Sequence, residues 1–530
     1  MTFVLLAVFL TFLPSLNNQF VNWDDTEVIL NNPLLRQLSI EHFRNFFTQF
    51  TVGNYHPLTN LSFAIECQGN LPNSFLIHLD NVILHLLNTA LVFWFVILLT
   101  GSLSLSWMTA LMFGIHPLHV ESVAWATERK DVLYTFFYLG ALICYQKRLL
   151  KTALALFILS LFSKVQAVSL PAALFAIDFY NQRKDSKTIL IEKIPFITLS
   201  LLFVGIALYG GKVAGAYHVS EIFNWVDRLW LASTAFVVYV TKLILPFQLS
   251  CLYPYPDKTS SFFVLNGIIS LAFILGASFL IWKLARQNHL IIFGVLFFVI
   301  NIFLGLQLFP VGEAYMSDRF SYVASIGIFL LIAMVIDNVM HERYPTVVRL
   351  KQILWLGFIG YLLILGIISF TRSEVWHDGG RLWSDVINQY PDYYESYLYR
   401  GDYYRGIGNS DKALRDYANA ITLKPDSSKA YVNRGNLYQT LGHFDLALAD
   451  YNKALQIRPQ GYEVLMNRAN TLSQMGNFDA ALSDYYKVLS INPDDAQAYY
   501  NRGVMFTHKK DLKHALEDFN KAKKLGLPIN

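Results

Sequence analysis

Residues 82–100 read VILHLLNTALVFWFVILLT, 19 positions without an Asp, Glu, Lys or Arg. A bilayer core about 30 Å thick is spanned by about 20 apolar residues of helix, so this stretch is long enough to cross one. Further spans are expected at 103–116, 131–146, 149–163, 165–180, 194–211, 262–284, 289–310, 320–338 and 351–370. With the apolar start of the chain, Met1 to Leu16, they make about eleven. That first stretch has no basic n-region and no small-residue cleavage site before Asn17, so an uncleaved helix is expected over a signal peptide.

Composition agrees with this reading. The 530 residues are 54% hydrophobic, 15% aromatic and 15% charged, where a soluble domain carries about a quarter of charged residues. The net charge of +4 gives nucleic-acid binding no support. Cys67, Cys144 and Cys251 fit no zinc spacing and exclude a disulfide scaffold. From Thr371 onward no apolar run is long enough to span, which divides the chain into residues 1–370, a connector at 371–393 and a repeat region at 394–530. Basic clusters at Lys147/Arg148/Lys151, Arg183/Lys184/Lys187/Lys193, Lys283/Arg286 and Arg343/Arg349/Lys351 are expected in the cytoplasm by the positive-inside rule. The segment 229–246 breaks that parity as a full span and is expected to be re-entrant or interfacial. Loop 17–81, the turn from His116 to Lys130, the Val311 to Arg319 segment and the C-terminal region then share the outer face.

The C-terminal region is periodic. Arg400, Arg434, Arg468 and Arg502 are 34 apart, as are Ala413, Ala447, Ala481 and Ala515, and Asp416, Asp450, Asp484 and Asp518. A period of 34 is that of the tetratricopeptide repeat (TPR), a helical hairpin that stacks into an α-solenoid. Copies run 394–427, 428–461, 462–495 and 496–530, and Trp383 and Pro391, one period before Tyr417 and Pro425, suggest a preceding half-repeat. Lys510 replaces the repeat glycine in the last copy. The Asn433/Arg434, Asn467/Arg468 and Asn501/Arg502 pairs fit a concave peptide-binding face or helix packing equally well. The fold class expected is all-α throughout.

Polar motifs collect on the expected outer face: Asp24-Asp25, Tyr55-His56-Pro57, His116-Pro117-Leu118-His119-Val120-Glu121, Glu128-Arg129-Lys130-Asp131 and Ser317-Asp318-Arg319. Each alone is consistent with a solvated pair or a helix-end anchor, but together they are costly to hold beside a bilayer. His116, His119 and Glu121 are of metal-ligand type, yet His116 precedes a proline and the spacing lacks the HExxH form. No metal site is assigned, and assistance by a divalent ion stays open.

Val21-Asn22-Trp23-Asp24-Asp25 after a first helix, Tyr55-His56-Pro57-Leu58-Thr59, His116 to Asp131, Ser317-Asp318-Arg319 and terminal TPRs occur here in one order. In this the chain resembles the transmembrane and TPR-containing protein O-mannosyltransferases and their bacterial relatives in the GT-C glycosyltransferase superfamily. The resemblance implies a GT-C-type helical membrane domain and inverting transfer of a mannose-like sugar. The donor would be a polyprenyl-phosphate sugar, used on the non-cytoplasmic face of a bacterial inner membrane with the TPRs periplasmic. It implies a protein or peptide acceptor held by the TPR groove and membrane lipid around the helices, and no cofactor is assigned. It carries the base role to Asp24 or Asp25 and donor-phosphate contacts to Arg129 and Arg319. His56, His116, His119, Glu121, Glu128, Lys130 and Asp318 would line the site. His56 departs from the arginine of many animal members, and the repeat array is short.

The chemistry is compatible, since a hydroxyl acceptor needs a carboxylate and a phosphate leaving group needs positive charge. A soluble glycosidase would instead need two opposed carboxyl groups. A non-enzymatic membrane-anchored TPR scaffold is the main rival, though it needs neither many helices nor polar loop motifs. A transporter would place charges near the midplane in paired inverted segments.

Overall fold

The computed structural model describes residues 1–68, 72–214, 222–286, 288–306, 308, 312, 314–341 and 348–529. Val311, Glu313, Arg343 and the tail of the 289–310 segment lie outside the described residues, as does the side chain of Arg349. Among the described residues the chain is helical apart from β1 (Tyr253–Pro254) and β2 (Ala314–Met316), an antiparallel pair with Tyr253 opposite Met316. It divides into two compact units, Met1–Asp385 and Val386–Asn530.

The first unit opens with α1 (Thr2–Phe12), α2 (Ile40–Thr48), α3 (Pro57–Glu66), α4 (Ser74–Thr100), α5 (Leu103–Ile115), α6 (Val120–Ala124) and α7 (Arg129–Gln146). It continues through α8 (Leu150–Ser163), α9 (Leu170–Tyr180), α10 (Ser186–Val213) and α11 (Trp225–Ile244). Then follow α12 (Ser261–Ala285), α13 (His289–Ile302), α14 (Ser321–His341) and α15 (Val348–Val375). Six helical stretches among the described residues are long and apolar enough to cross a membrane: Ser74–Thr100, Ser186–Val213, Ser261–Lys283, His289–Leu306, Asp318–Met340 and Lys351–Val375. The other segments expected to span are also helices, but shorter or more charged. Thr2–Asn17, Leu103–Ile115, Leu150–Ser163 and Val165–Tyr180 are apolar but only 10–17 residues long, and α7 begins with Arg129, Lys130 and Asp131.

The helix ends have local causes. Asn73 caps the start of α4 by accepting from the Leu76 N–H, and Gly101 closes that helix in the left-handed region at φ 69°. Pro117 pushes His116 into an extended conformation (φ −75°, ψ 134°), which ends α5 and creates the turn that carries the polar motif. The chain between α8 and α9 is likewise broken at an extended Lys164 (φ −158°, ψ 136°). Close approach of α13 and α14 depends on small residues, because a Cβ on Gly327 would lie 2.3 Å from the Gly294 carbonyl oxygen.

Polar side chains tie α4 to α5, α7 and α14. His85 places Nδ1 2.6 Å from the Tyr322 hydroxyl and Nε2 2.9 Å from the Gly114 carbonyl, and Asn88 donates to the Val132 carbonyl at 2.8 Å. Away from water each such bond avoids the cost of an unpaired polar group.

The second unit begins within α16 (Gly379–Gln389). Four helix pairs follow: α17 (Tyr394–Gly406) with α18 (Ser410–Leu423), α19 (Ser428–Thr440) with α20 (Phe444–Ile457), α21 (Tyr462–Gln474) with α22 (Phe478–Ile491), and α23 (Ala496–His508) with α24 (Leu512–Lys524). Gly401, Gly435 and Gly503 leave room for the facing rings of Tyr417, Tyr451 and Phe519. Each repeat arginine is bonded within its own pair: Arg400 to Asp416, Arg434 to Asp450, Arg468 to Asp484 and Arg502 to Asp518, all at 2.7–2.8 Å. Asn433, Asn467 and Asn501 donate one repeat back, to Asp402, Asn436 and Asn470 at 2.9–3.2 Å. The Asn-Arg pairs are therefore committed to packing. Lys510 holds the left-handed conformation (φ 62°) that glycine holds in the other copies.

Candidate active site

The site is assembled by the turn after α5, the start of α7, the break at Lys164 and the segment before α14. Two adjacent carboxylates lead into it. Asp25 is 1% exposed, and its oxygens accept from the backbone N–H groups of Val21 (2.9 Å) and Thr127 (3.1 Å). It ties the first loop to the turn before α7. Burial pushes its carboxyl up to about 7, against those two donors, with the Asp24 charge adding to the rise. The Asp24 side chain is 32% exposed and lies 3.9 Å from Lys130 Nζ. Of the pair, Asp24 is the one open to a substrate.

Glu128 is the hub of the charges behind Asp24. Its oxygens lie 3.0 Å from Lys130 Nζ, 3.3 Å from Lys164 Nζ and 3.4 Å from Arg319 Nε. Burial alone would raise its carboxyl, but these three cations outweigh burial and hold it below the usual carboxylate range. Lys164 also pairs with Asp131 and Arg319 with Glu121, whose other oxygen accepts from the Arg319 N–H at 3.1 Å. Three cations thus face a group of acidic side chains in a largely water-excluded cluster. The Trp125 indole underlies it, 5.7 Å from Lys130 Nζ and 5.6 Å from Arg319 Cζ.

Lys164 and Trp125 are site residues the sequence reading missed. The signal for Lys164 was present, since a lone cation between apolar runs 149–163 and 165–180 is expensive unless paired. Nothing in the sequence singles out Trp125 among ten tryptophans.

Arg129 faces elsewhere. Its guanidinium pairs with both oxygens of Glu66 and also donates to Asn81 Oδ1, to the Ser62 hydroxyl and to the Ile77 carbonyl, so all five N–H groups are used internally. Arg129, expected to contact the donor phosphate, is thus engaged by the protein itself in this structure. His116 and His119, expected to line the site, are both wholly buried in the helix core. His119 places its ring nitrogens 2.7 Å from the Phe113 carbonyl and 3.1 Å from the Ser325 hydroxyl, and His116 Nδ1 accepts from Leu118 N–H. Asp318 accepts from the Tyr253 hydroxyl at 2.8 Å, fastening the Arg319 segment to β1. Among the described residues no three His, Cys, Asp or Glu side chains converge as metal ligands.

His56 lies within electrostatic reach of Lys130, Lys164 and Glu128. Burial, with Lys130 and Lys164 nearby, lowers its pKa to about 3, so it is neutral in the physiological range. It lines a cavity of about 30 Å³ with Gly53, Asn54, Tyr55, Val165, Phe203, Ile206 and Ala207. Ile206 also lines an open apolar groove along α10, formed with Phe50, Leu201, Leu202, Gly205 and Tyr209.

The geometry defines a class: an all-α chain with several membrane-length helices, a buried charge cluster beside an accessible carboxylate, and four tetratricopeptide repeats. Tetratricopeptide repeat models match residues 394–427, 428–460, 462–495 and 496–525. The relatives are protein O-mannosyl-transferases, as the motif resemblance implied. The protein O-mannosyl-transferase F38B6.6 of Caenorhabditis elegans is 25% identical over 450 residues, 78% of this chain and 61% of that protein. The mouse protein O-mannosyl-transferase TMTC1 is 34% identical over 145 residues, 26% of this chain and 15% of its own length. The chain thus spans about three fifths of the length of the nematode relative and a smaller part of the mouse one. A MamA crystal structure covers 29% of this chain and 90% of its own at 22% identity, with a TM-score of 0.27.

Proposed function

We propose that the protein is an integral-membrane glycosyltransferase of the GT-C type. It would move a mannose-like sugar from a polyprenyl phosphate to a hydroxyl of a protein or envelope acceptor on the non-cytoplasmic face. The observation that carries this reading is the solvent-accessible Asp24 carboxylate 3.9 Å from Lys130, the first of three clustered cations. Asp24 takes the acceptor hydroxyl proton as that oxygen attacks the anomeric carbon from the face opposite the phosphate. The carbon–phosphate-oxygen bond breaks, the electron pair leaves with the lipid phosphate, and the anomeric configuration inverts. Lys130, Lys164 and Arg319 stabilise the departing phosphate without protonating it. Asp25 holds the loop that carries the base.

The apolar groove on α10 supports a lipid-linked donor, because it runs along a membrane-length helix and shares Ile206 with the cavity at His56, next to the Lys164 break. In this scheme residues 1–370 transfer the sugar, 371–393 form a connector and the repeats at 394–530 present the acceptor. The names of the relatives support a sugar-transfer reaction. The test is incubation of the purified full-length protein with labelled polyprenyl-phosphate mannose and a hydroxyl-bearing peptide mixture. Transfer of label that is lost in Asp24→Asn supports the scheme, and absence of transfer to any acceptor with donor bound overturns it.

A further inference from the structure

The repeats carry an aromatic residue at a fixed register, Phe519 in the last, and in the first three its hydroxyl is held by a side-chain amide or carboxylate 15 residues earlier: Tyr417 by Asp402, Tyr451 by Asn436 and Tyr485 by Asn470, at 2.6–2.7 Å. Trp383 occupies the same register one period before Tyr417. Fifteen residues before it the chain is still inside α15, whereas Tyr417, Tyr451 and Tyr485 have a repeat helix at that offset. Trp383 instead donates from Nε1 to the Asn22 side-chain oxygen at 3.2 Å, across 361 residues of sequence. Its ring meets Trp23 edge-on at 5.3 Å between centroids, and Trp23 stacks on Trp125 at 4.7 Å. Backbone bonds strengthen the join, since Gln19 N–H donates to the His377 carbonyl at 2.8 Å.

We infer that the first outer loop substitutes for the missing first helix of the half-repeat, and that Trp383 is a positioning residue for Asp24. The loop partners, Asn22 and Trp23, immediately precede Asp24 in sequence. A side chain at the entrance to the repeats therefore sets where the candidate base stands. The catalytic half of this inference rests on the reading of Asp24 proposed above, and the structural half does not.

The test uses full-length protein with Cys67, Cys144 and Cys251 changed to Ser and with Asp24→Cys as a reporter, labelled by a water-soluble maleimide in detergent. Adding Trp383→Ala should speed labelling at position 24 about fivefold or more, as expected for loss of a hydrogen bond and a ring contact. Trp383→Phe keeps a ring and the fold and should give a smaller rise. Tyr417→Ala, at the same register one repeat on, should leave the rate unchanged. An unchanged rate in Trp383→Ala, or an equal rise in Tyr417→Ala, overturns the inference. With Asp24 restored, Trp383→Phe should lower kcat while leaving the KM for a polyprenyl-phosphate sugar in place. Altered labelling without transfer in any variant would remove the base reading and keep the positioning, whereas intact transfer with unmoved labelling would remove the positioning alone.

Discussion

Replacing Asp24 by Asn removes a proton acceptor that solvent can reach, so turnover should fall on the order of 100- to 10,000-fold while donor affinity changes little. Steady-state kinetics with a lipid-linked donor checks this. Asp25→Asn should show itself in stability. Burial raises the Asp25 carboxyl from 3.8 to about 7, so between those values the folded chain holds a proton that the unfolded chain has released. Stability therefore falls as pH rises through that window, and Asn should flatten this part of a melting-temperature-against-pH profile. Among the cations, Lys130→Ala should weaken donor binding by about tenfold, since Lys130 lies beside the exposed Asp24, as read by titration with a polyprenyl phosphate. Arg129→Ala should instead destabilise the fold by about 3 kcal/mol, because Glu66 loses a buried partner. The motifs named most members of this cluster, but spacing could not say which of two adjacent aspartates would be buried. Nor could it say that Arg129 would be consumed by Glu66 and Asn81. Both outcomes depend on contacts across 48 to 102 residues.

Helices were legible wherever apolar runs met a punctuating residue. Pro117 ends α5, Gly101 ends α4, and the apolar run at 229–246, expected to be re-entrant or interfacial, falls largely within α11. What the runs did not reveal is how helices of 11–18 residues share the burden of packing with longer ones, since a short helix has the same composition whether lipid or protein surrounds it. The contact of α13 with α14 offers a test at this scale. Gly327→Val would press a branched side chain against the Gly294 carbonyl and should cost about 1–3 kcal/mol, seen as a lower melting temperature of the detergent-solubilised protein. Gly205→Ala, with open space at its Cβ position, should be neutral. The 34-residue period made α17 to α24 readable almost helix by helix, because each pair repeats the same steric solution.

For the molecule as a whole, the proposed scheme requires residue 24 and residue 470 on the same, non-cytoplasmic side. Cysteines placed there should both react with an impermeant reagent on intact cells, and reaction at 470 only after permeabilisation would break the scheme. Removal of the repeats should spare donor binding and weaken use of a peptide acceptor. The cut belongs after Gln389, since a cut at 371 would also remove Trp376 and Trp383 from the stack beneath the first loop. The amide rungs from Asn433, Asn467 and Asn501 have a mechanical consequence. Each repeat closes its own arginine pair, and each of the last three bonds back to its predecessor, so a pull on the C-terminus meets resistance one repeat at a time. In an optical trap the array should lengthen in a staircase, each tread releasing 34 residues, roughly 120 Å of contour.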